Sequence, residues 1–216
     1  MTQMVGIDVA QVVALSLYVS LTATVLASLV GLPLGSFLAL RKSRGTWLVR
    51  TGVYTLFALP AVVAGLVVYS LLSRSGPLGF LDWLFTPMGM VVAESLLIFP
   101  LITGLTISAV SDIDENVRLT IRTLGASDGQ MAVRVLLEAR YGIFGAVMVG
   151  FGRAVSEVGA VWIVGGNIAG STQVITTAIM QRTQMGDLGT AFELAAILLA
   201  IAFVVFLIIR RFQERE

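Results

Sequence analysis

The stretch from Val9 to Leu40 reads VAQVVALSLYVSLTATVLASLVGLPLGSFLAL and holds no Asp, Glu, Lys or Arg. A helix needs about 20 consecutive apolar residues to cross roughly 30 Å of hydrocarbon. At about 1.5 Å per residue, this run is longer than one crossing requires. It is apolar on every face, which suits lipid and neighbouring helices better than a wet surface. Gly31, Pro33 and Gly35 are expected to bend its inner third. A cleaved signal peptide fits poorly: nothing basic precedes the run, and a signal's apolar core is only about 7–15 residues.

Four further runs of this kind follow, at about residues 51–72, 88–110, 141–164 and 188–209. Hydrophobic residues make up 57% of the 216-residue chain and charged residues 12%. A soluble domain carries about 25% charge, so five such runs leave too little polar surface to cover them. The composition equally excludes intrinsic disorder, which needs low hydrophobicity and high net charge. The expected fold is an all-α integral membrane protein with five transmembrane helices in one domain over residues 1–216.

Basic residues set the orientation, because short cytoplasmic loops are enriched in Lys and Arg. Arg41, Lys42, Arg44 and Arg50 lie between the first two spans. Arg118, Arg122, Arg134 and Arg140 lie between the third and fourth, and Arg210, Arg211 and Arg215 follow the fifth. The opposite side carries Arg74 and Arg182 alone. The N-terminus is therefore expected outside and the C-terminus in the cytoplasm.

The absent residues narrow the chemistry. The chain has no Cys and no His, which removes thiolate metal sites, disulfides, His proton relays and Ser-His triads. No metal site is expected. Lys+Arg 14 against Asp+Glu 13 gives a net charge of +1, too little for a general attraction to nucleic acid. A Walker A sequence is missing as well, so this chain is not expected to hydrolyse ATP.

The loop from Ser111 to Arg140 is about thirty residues long and rich in charge. It is not Gly/Ser-rich or Pro-rich, so it does not read as a flexible linker. Asp114 or Asn116 is placed to cap a helix running to about Leu124. Gly125 would end that helix, since the residue after a helix often needs φ > 0. A second helix is expected from Asp128 to Leu137. The product is a compact knob, read either as a connector lying on the surface or as a docking element.

Four ionisable residues fall inside the spans: Glu94, Arg153, Glu157 and Glu193. Such groups are costly in lipid and should face protein or water. Arg153 and Glu157 are four apart, on one helical face. They read as a neutralising pair that locks the fourth span, as the lining of a polar path, or as both. Arg suits oxyanions through paired hydrogen bonds, and Glu157 would temper its field so that a bound anion is also released. Ser156 is a further lining candidate. Glu94 and Glu193 repel anions and belong at a helix interface or near the outer surface. Pro60 and Pro100 are expected to kink the second and third spans, with freed hydrogen bonds satisfied by neighbours. Beyond Gly165-Gly166, the stretch from Ile175 to Met180 reads as a short re-entrant or interfacial helix, or as a plain connector.

The knob carries a resemblance. Ile121-Arg122-Thr123-Leu124-Gly125-Ala126-Ser127, followed by Val135-Leu136-Leu137, resembles the coupling loop of ABC-importer permeases. That pattern has Glu-Ala-Ala, three residues, Gly, nine residues, then Ile-x-Leu-Pro. Here Leu119-Thr120-Ile121 replaces Glu-Ala-Ala and Glu138 replaces Pro. Ala58-Leu59-Pro60-Ala61-Val62-Val63-Ala64-Gly65 and Gly152-Arg153-Ala154-Val155-Ser156-Glu157-Val158-Gly159-Ala160 resemble signatures of molybdate- and tungstate-type permeases. So do Ser73-Arg74-Ser75-Gly76-Pro77-Leu78-Gly79 and Val164-Gly165-Gly166-Asn167-Ile168, which favour the tungstate branch.

The resemblance covers nearly the whole chain. It implies the type I importer permease fold, with residues 122–127 seated in a groove of an ATP-hydrolysing subunit. It implies import of an oxyanion, tungstate first and molybdate or sulfate as alternatives, across a prokaryotic cytoplasmic membrane. Its implied partners are a second copy of the chain, two ATP-binding subunits that hold ATP and Mg, and an extracytoplasmic binding protein. Five spans are also too few to enclose a gated path, so a homodimer is a functional requirement. A stand-alone secondary transporter would be expected to show inverted repeats, and no repeat is found. An intramembrane enzyme lacks a partner motif for its carboxylates.

Overall fold

The structure is a computed structural model that describes residues 8–41 and 43–213. Lys42 and Arg215, both counted in the charge bias, lie outside the described residues. Among the described residues the regular structure is entirely helical: α1 Val9–Leu40, α2 Arg44–Thr55, α3 Ala61–Leu72, α4 Pro87–Ser111, α5 Glu115–Thr123, α6 Asp128–Glu138, α7 Arg140–Val155, α8 Gly159–Gly165, α9 Ile175–Gln184 and α10 Leu188–Gln213. This is the all-α membrane fold that the composition demanded.

Three segments are single helices long and apolar enough to cross a bilayer: α1, α4, and α10 from Leu188 to Leu207. The second and fourth expected spans are not single helices. The second is broken between Ala58 and Ala61. Pro60 lacks an N–H and pushes the residue before it out of the helical region. Pro60 itself is extended, at φ −65° and ψ 135°, and stands as the cap of α3. The expected run over residues 141–164 is likewise interrupted after Val155 and resumes at Gly159. At its other end, α6 meets α7 at a bend of 59°. Pro33 and Pro100, by contrast, lie inside continuous helices.

The chain divides into two compact units, and it passes between them within α1, α4 and α7 and between Ala58 and Leu59. The first unit gathers the chain up to Val25, Leu59–Leu97 and the chain from Phe151 onward. Its core joins α3, α4 and α8 through buried Val68, Leu72, Ala93, Ala160 and Val164. A second cluster of Val12, Ile175, Ala178 and Leu194 ties α9 to α1 and α10. Small residues set the closest approach, as is usual between membrane helices. A Cβ on Gly65 would stand 2.9 Å from the Ala160 Cα.

The second unit holds Leu26–Ala58 and Ile98–Gly150. Here Gly31 and Gly35 let α1 lie directly on α4: a Cβ on Gly35 would stand 2.6 Å from the Thr103 carbonyl oxygen. The core of Leu38, Ala39, Val53, Ile107, Val110, Val135 and Ala139 joins α1, α2, α4 and α6. The Arg50 guanidinium donates to the Leu38 carbonyl, 3.0 Å from its Nε. This satisfies a carbonyl orphaned at the end of α1 and places a cation at its negative pole.

Candidate functional site

Two groups of residues carry candidate function, one in each unit. In the second unit the loop after α4 folds into helix, Gly turn, helix. The Asp114 carboxylate accepts from the Asn116 amide at 2.8 Å and starts α5. Gly125 follows its end with φ +82°. An L-residue resists this left-handed conformation. Ser127 starts α6 through a capping box: its hydroxyl accepts from the Gln130 amide, and the Gln130 side chain accepts from the Ser127 amide at 2.9 Å. Ser127 was expected only as part of the resembling stretch; its spacing to Gln130 is the signal for this role.

One side of the knob is anchored by buried Val135, with Ile121, Met131 and Leu136 packed against the same core. Apolar side chains also point into solvent. Leu119, Leu124, Val133 and Leu137 are all exposed, Leu124 by 81%. Around Gly125 a Cβ would meet nothing within 4 Å. Arg122 reaches Asp128 at 3.8 Å, an open surface pair worth little on its own. Residues 122–127 thus lie together on an exposed turn.

In the first unit the break after α7 builds the second group. Arg153 Nη1 donates to Glu157 Oε2 at 2.7 Å. The two side chains differ in setting: Arg153 is 40% exposed and Glu157 2%. The pair forms, although the helix whose spacing predicted it ends between the two residues. Glu157 turns back instead and accepts from the Ala160 amide through Oε1 at 3.1 Å, capping α8. The Ser156 hydroxyl, exposed beside the pair, donates to the Arg153 carbonyl at 3.1 Å.

The two helix breaks of this region meet. A Cβ on Gly159 would lie 3.5 Å from the Val62 amide nitrogen and 3.5 Å from Glu157 Oε1. The start of α3 therefore abuts the start of α8, and Arg153 stands at that junction on the side of α7. The arrangement can offer a cation to an oxyanion without leaving a fixed unpaired charge.

Of the remaining carboxylates within the spans, Glu94 lies within electrostatic reach of Glu157. Glu94 is buried on α4, 3% exposed, with the Ser20 hydroxyl beside it. Glu193 is exposed near the start of α10. At the boundary of α10, Asp187 Oδ1 accepts from the Thr190 amide at 3.2 Å, and Arg182 lies 3.4 Å from the carboxylate. Hydrogen bonds from the Thr190 hydroxyl and amide hold the Asp187 carboxyl below the usual carboxylate range. Among the described residues no group of His, Cys, Asp and Glu suits a metal ion.

The fold and these groups define a class: an all-helical membrane protein with an exposed, capped helix–turn–helix on a loop. The family comparison agrees. Residues 31–216 match the binding-protein-dependent transport system inner membrane component family, and the chain belongs to it. It is 43% identical over 203 residues to the tungstate uptake system permease protein TupB of Peptoclostridium acidaminophilum, covering 94% of this chain and 89% of that one. It is 40% identical to a probable anion ABC transporter permease protein of Haloferax volcanii, over 94% and 90% of the two chains. A sulfate transport system permease protein, CysT of Escherichia coli, is 31% identical over 74% of this chain and 60% of that one.

Proposed function

We propose that this chain is the membrane half of an ATP-driven oxyanion importer, with tungstate as its substrate. The observation that carries the oxyanion assignment is the Arg153–Glu157 pair: a partly exposed guanidinium on a buried carboxylate within a helix break. Arg153 meets the anion, Ser156 lines the same surface, and Glu157 keeps the site from binding too tightly to release. The similarity to tungstate permeases supports tungstate first, and the more distant similarity to a sulfate permease supports sulfate as the second reading; molybdate, a third oxyanion, rests on the resembling sequence stretches alone.

The working unit is a homodimer with the path between two copies. It works with two ATP-binding subunits, which hold ATP and Mg, and with an extracytoplasmic binding protein. The N-terminus lies outside and the C-terminus in the cytoplasm, so the knob faces the ATPase. Exposed Leu119, Leu124, Val133 and Leu137 supply the apolar seat that an ATPase groove would cover. ATP closes the ATPase pair, the two knobs approach, and the path opens outward; hydrolysis resets it inward. No ATP chemistry occurs on this chain.

Replacing Gly125 by Trp tests the coupling role. The site is open, so the spans stay folded while the ATPase detaches or turns over without uptake. Undiminished copurification and uptake in Gly125→Trp would remove the knob from the coupling role.

A further inference from the structure

The segment between α8 and α10 folds inward. Ile175, Thr176, Thr177 and Ala178, the first turn of α9, are all buried. The Ile175 amide donates to the Ser16 hydroxyl of α1 at 2.8 Å. The Gln11 side chain donates to the Gly170 carbonyl at 2.7 Å. From Thr183 to Gly186 the same segment is exposed, Met185 by 66%. So α9 runs from the interior of the first unit out to its surface.

Its buried end touches the helix break. The Thr176 hydroxyl donates to the Glu157 backbone carbonyl at 2.7 Å. A carbonyl beside a helix break lacks the amide that a continuous helix would supply. Among the described residues, Thr176 is the donor to this one. All three acceptor atoms of Glu157 are then engaged: the carbonyl by Thr176, Oε1 by the Ala160 amide and Oε2 by Arg153. The carbonyl fixes the backbone from which the carboxylate projects, and the carboxylate fixes the guanidinium.

We infer that Thr176 is a positioning residue, through which α9 sets the Glu157–Arg153 pair and thereby the charge offered to the translocated anion. This rests on the proposed role of Arg153 in meeting the oxyanion. A hydroxyl fits the role because it donates to the carbonyl and shields a polar group that is buried on the other sides. Displacement of α9 removes that donor, frees the break and lets the pair reorient.

The chain has no Cys, so Ser156→Cys places this chain's one thiol beside Arg153, with the partner subunits used in Cys-free form. The test compares its modification rate by an anionic and by a cationic methanethiosulfonate in the purified importer. Arg153 favours the anionic reagent. Adding Thr176→Val should lower the anionic-to-cationic ratio by about 2- to 10-fold, the span of one neutral hydrogen bond. Thr176→Ser, which keeps the donor, should restore it. An unchanged ratio in the Thr176→Val protein overturns the inference, as does an equal fall in Thr176→Ser. A general loosening would raise both rates together and leave the ratio alone. Uptake per folded importer in Arg153→Gln tests the underlying reading separately: if it is normal, Arg153 does not meet the anion, while the ratio still decides whether Thr176 positions it.

Discussion

Neutralising either member of the Arg153–Glu157 pair should destabilise the protein, but by unequal amounts. Glu157→Gln keeps the shape and removes the charge. Glu157 serves two donors with two oxygens, Arg153 at 2.7 Å and the Ala160 amide at 3.1 Å. An amide has one oxygen, so one donor must face its NH2 group. Arg153 is 40% exposed, and water can take over its charge. The loss is one charge-assisted hydrogen bond, about 1.5–3 kcal/mol. Arg153→Gln leaves the opposite remnant, a carboxylate that is 2% exposed and has no water to replace its cation. Removing one partner of a buried pair costs about 3–5 kcal/mol. Between the midpoints of these ranges the second substitution is worse by about 1.8 kcal/mol, a more than tenfold shift in the unfolding equilibrium. The double variant should lose less than the sum, because the two residues are in contact. The chain has 3 Trp, and Trp162 lies in α8 itself, so fluorescence-detected unfolding in lipid–detergent micelles reads the effect. Equal losses, a larger loss for Glu157→Gln, or strict additivity would refute the assignment of Glu157 as the buried, dependent partner.

Other substitutions probe the scaffold around the two groups. Gly65→Val brings a Cβ to 2.9 Å from the Ala160 Cα; overpacking of this kind costs about 1–3 kcal/mol, seen as a lower midpoint in the same unfolding assay. Gly125→Ala meets no neighbour within 4 Å and suffers only from φ +82°, so its stability should fall by about 1–2 kcal/mol at most. Ser127→Ala removes the cap of α6 and should cost about 1 kcal/mol, measurable by faster amide exchange over residues 128–138. Asp187 has its folded pKa lowered, by Thr190 before Arg182. Its contribution is full above the unfolded value near about 3.9 and is lost as pH falls through the lower folded value. Asp187→Asn should therefore be less stable than the parent at neutral pH, and the gap should close in acid.

Much of this was legible in the sequence because membrane segments are read by length and apolarity, and α1, α4 and α10 satisfy both without interruption. The knob was legible for another reason: Asp114 and Gly125 are local signals, and local capping chemistry, Asp114 for α5 and Ser127 for α6, decided both helices. The helix breaks were less so. Pro60 announces one, though as a kink rather than a full stop. Residues 156–158 hide the other, since Ser156-Glu157-Val158 contains neither Gly nor Pro and sits in an apolar run. The signal was Glu157 itself, an acceptor three residues before the Ala160 amide that it caps. The partnership of Arg153 and Glu157 was read from helical spacing, yet it is made by a turn. The inward course of α9 depends on Ser16 and Glu157, which are distant in sequence from Thr176, and no local pattern reports such contacts.

The most direct test of the central claim is uptake of tungstate into proteoliposomes that hold the chain with its ATP-binding subunits, supplied with binding protein. Accumulation is expected to require ATP and the binding protein, to be competed by excess tungstate before molybdate and sulfate, and to fall per folded molecule in Arg153→Gln. Accumulation without ATP or binding protein, or indifference to all three oxyanions, would contradict the claim.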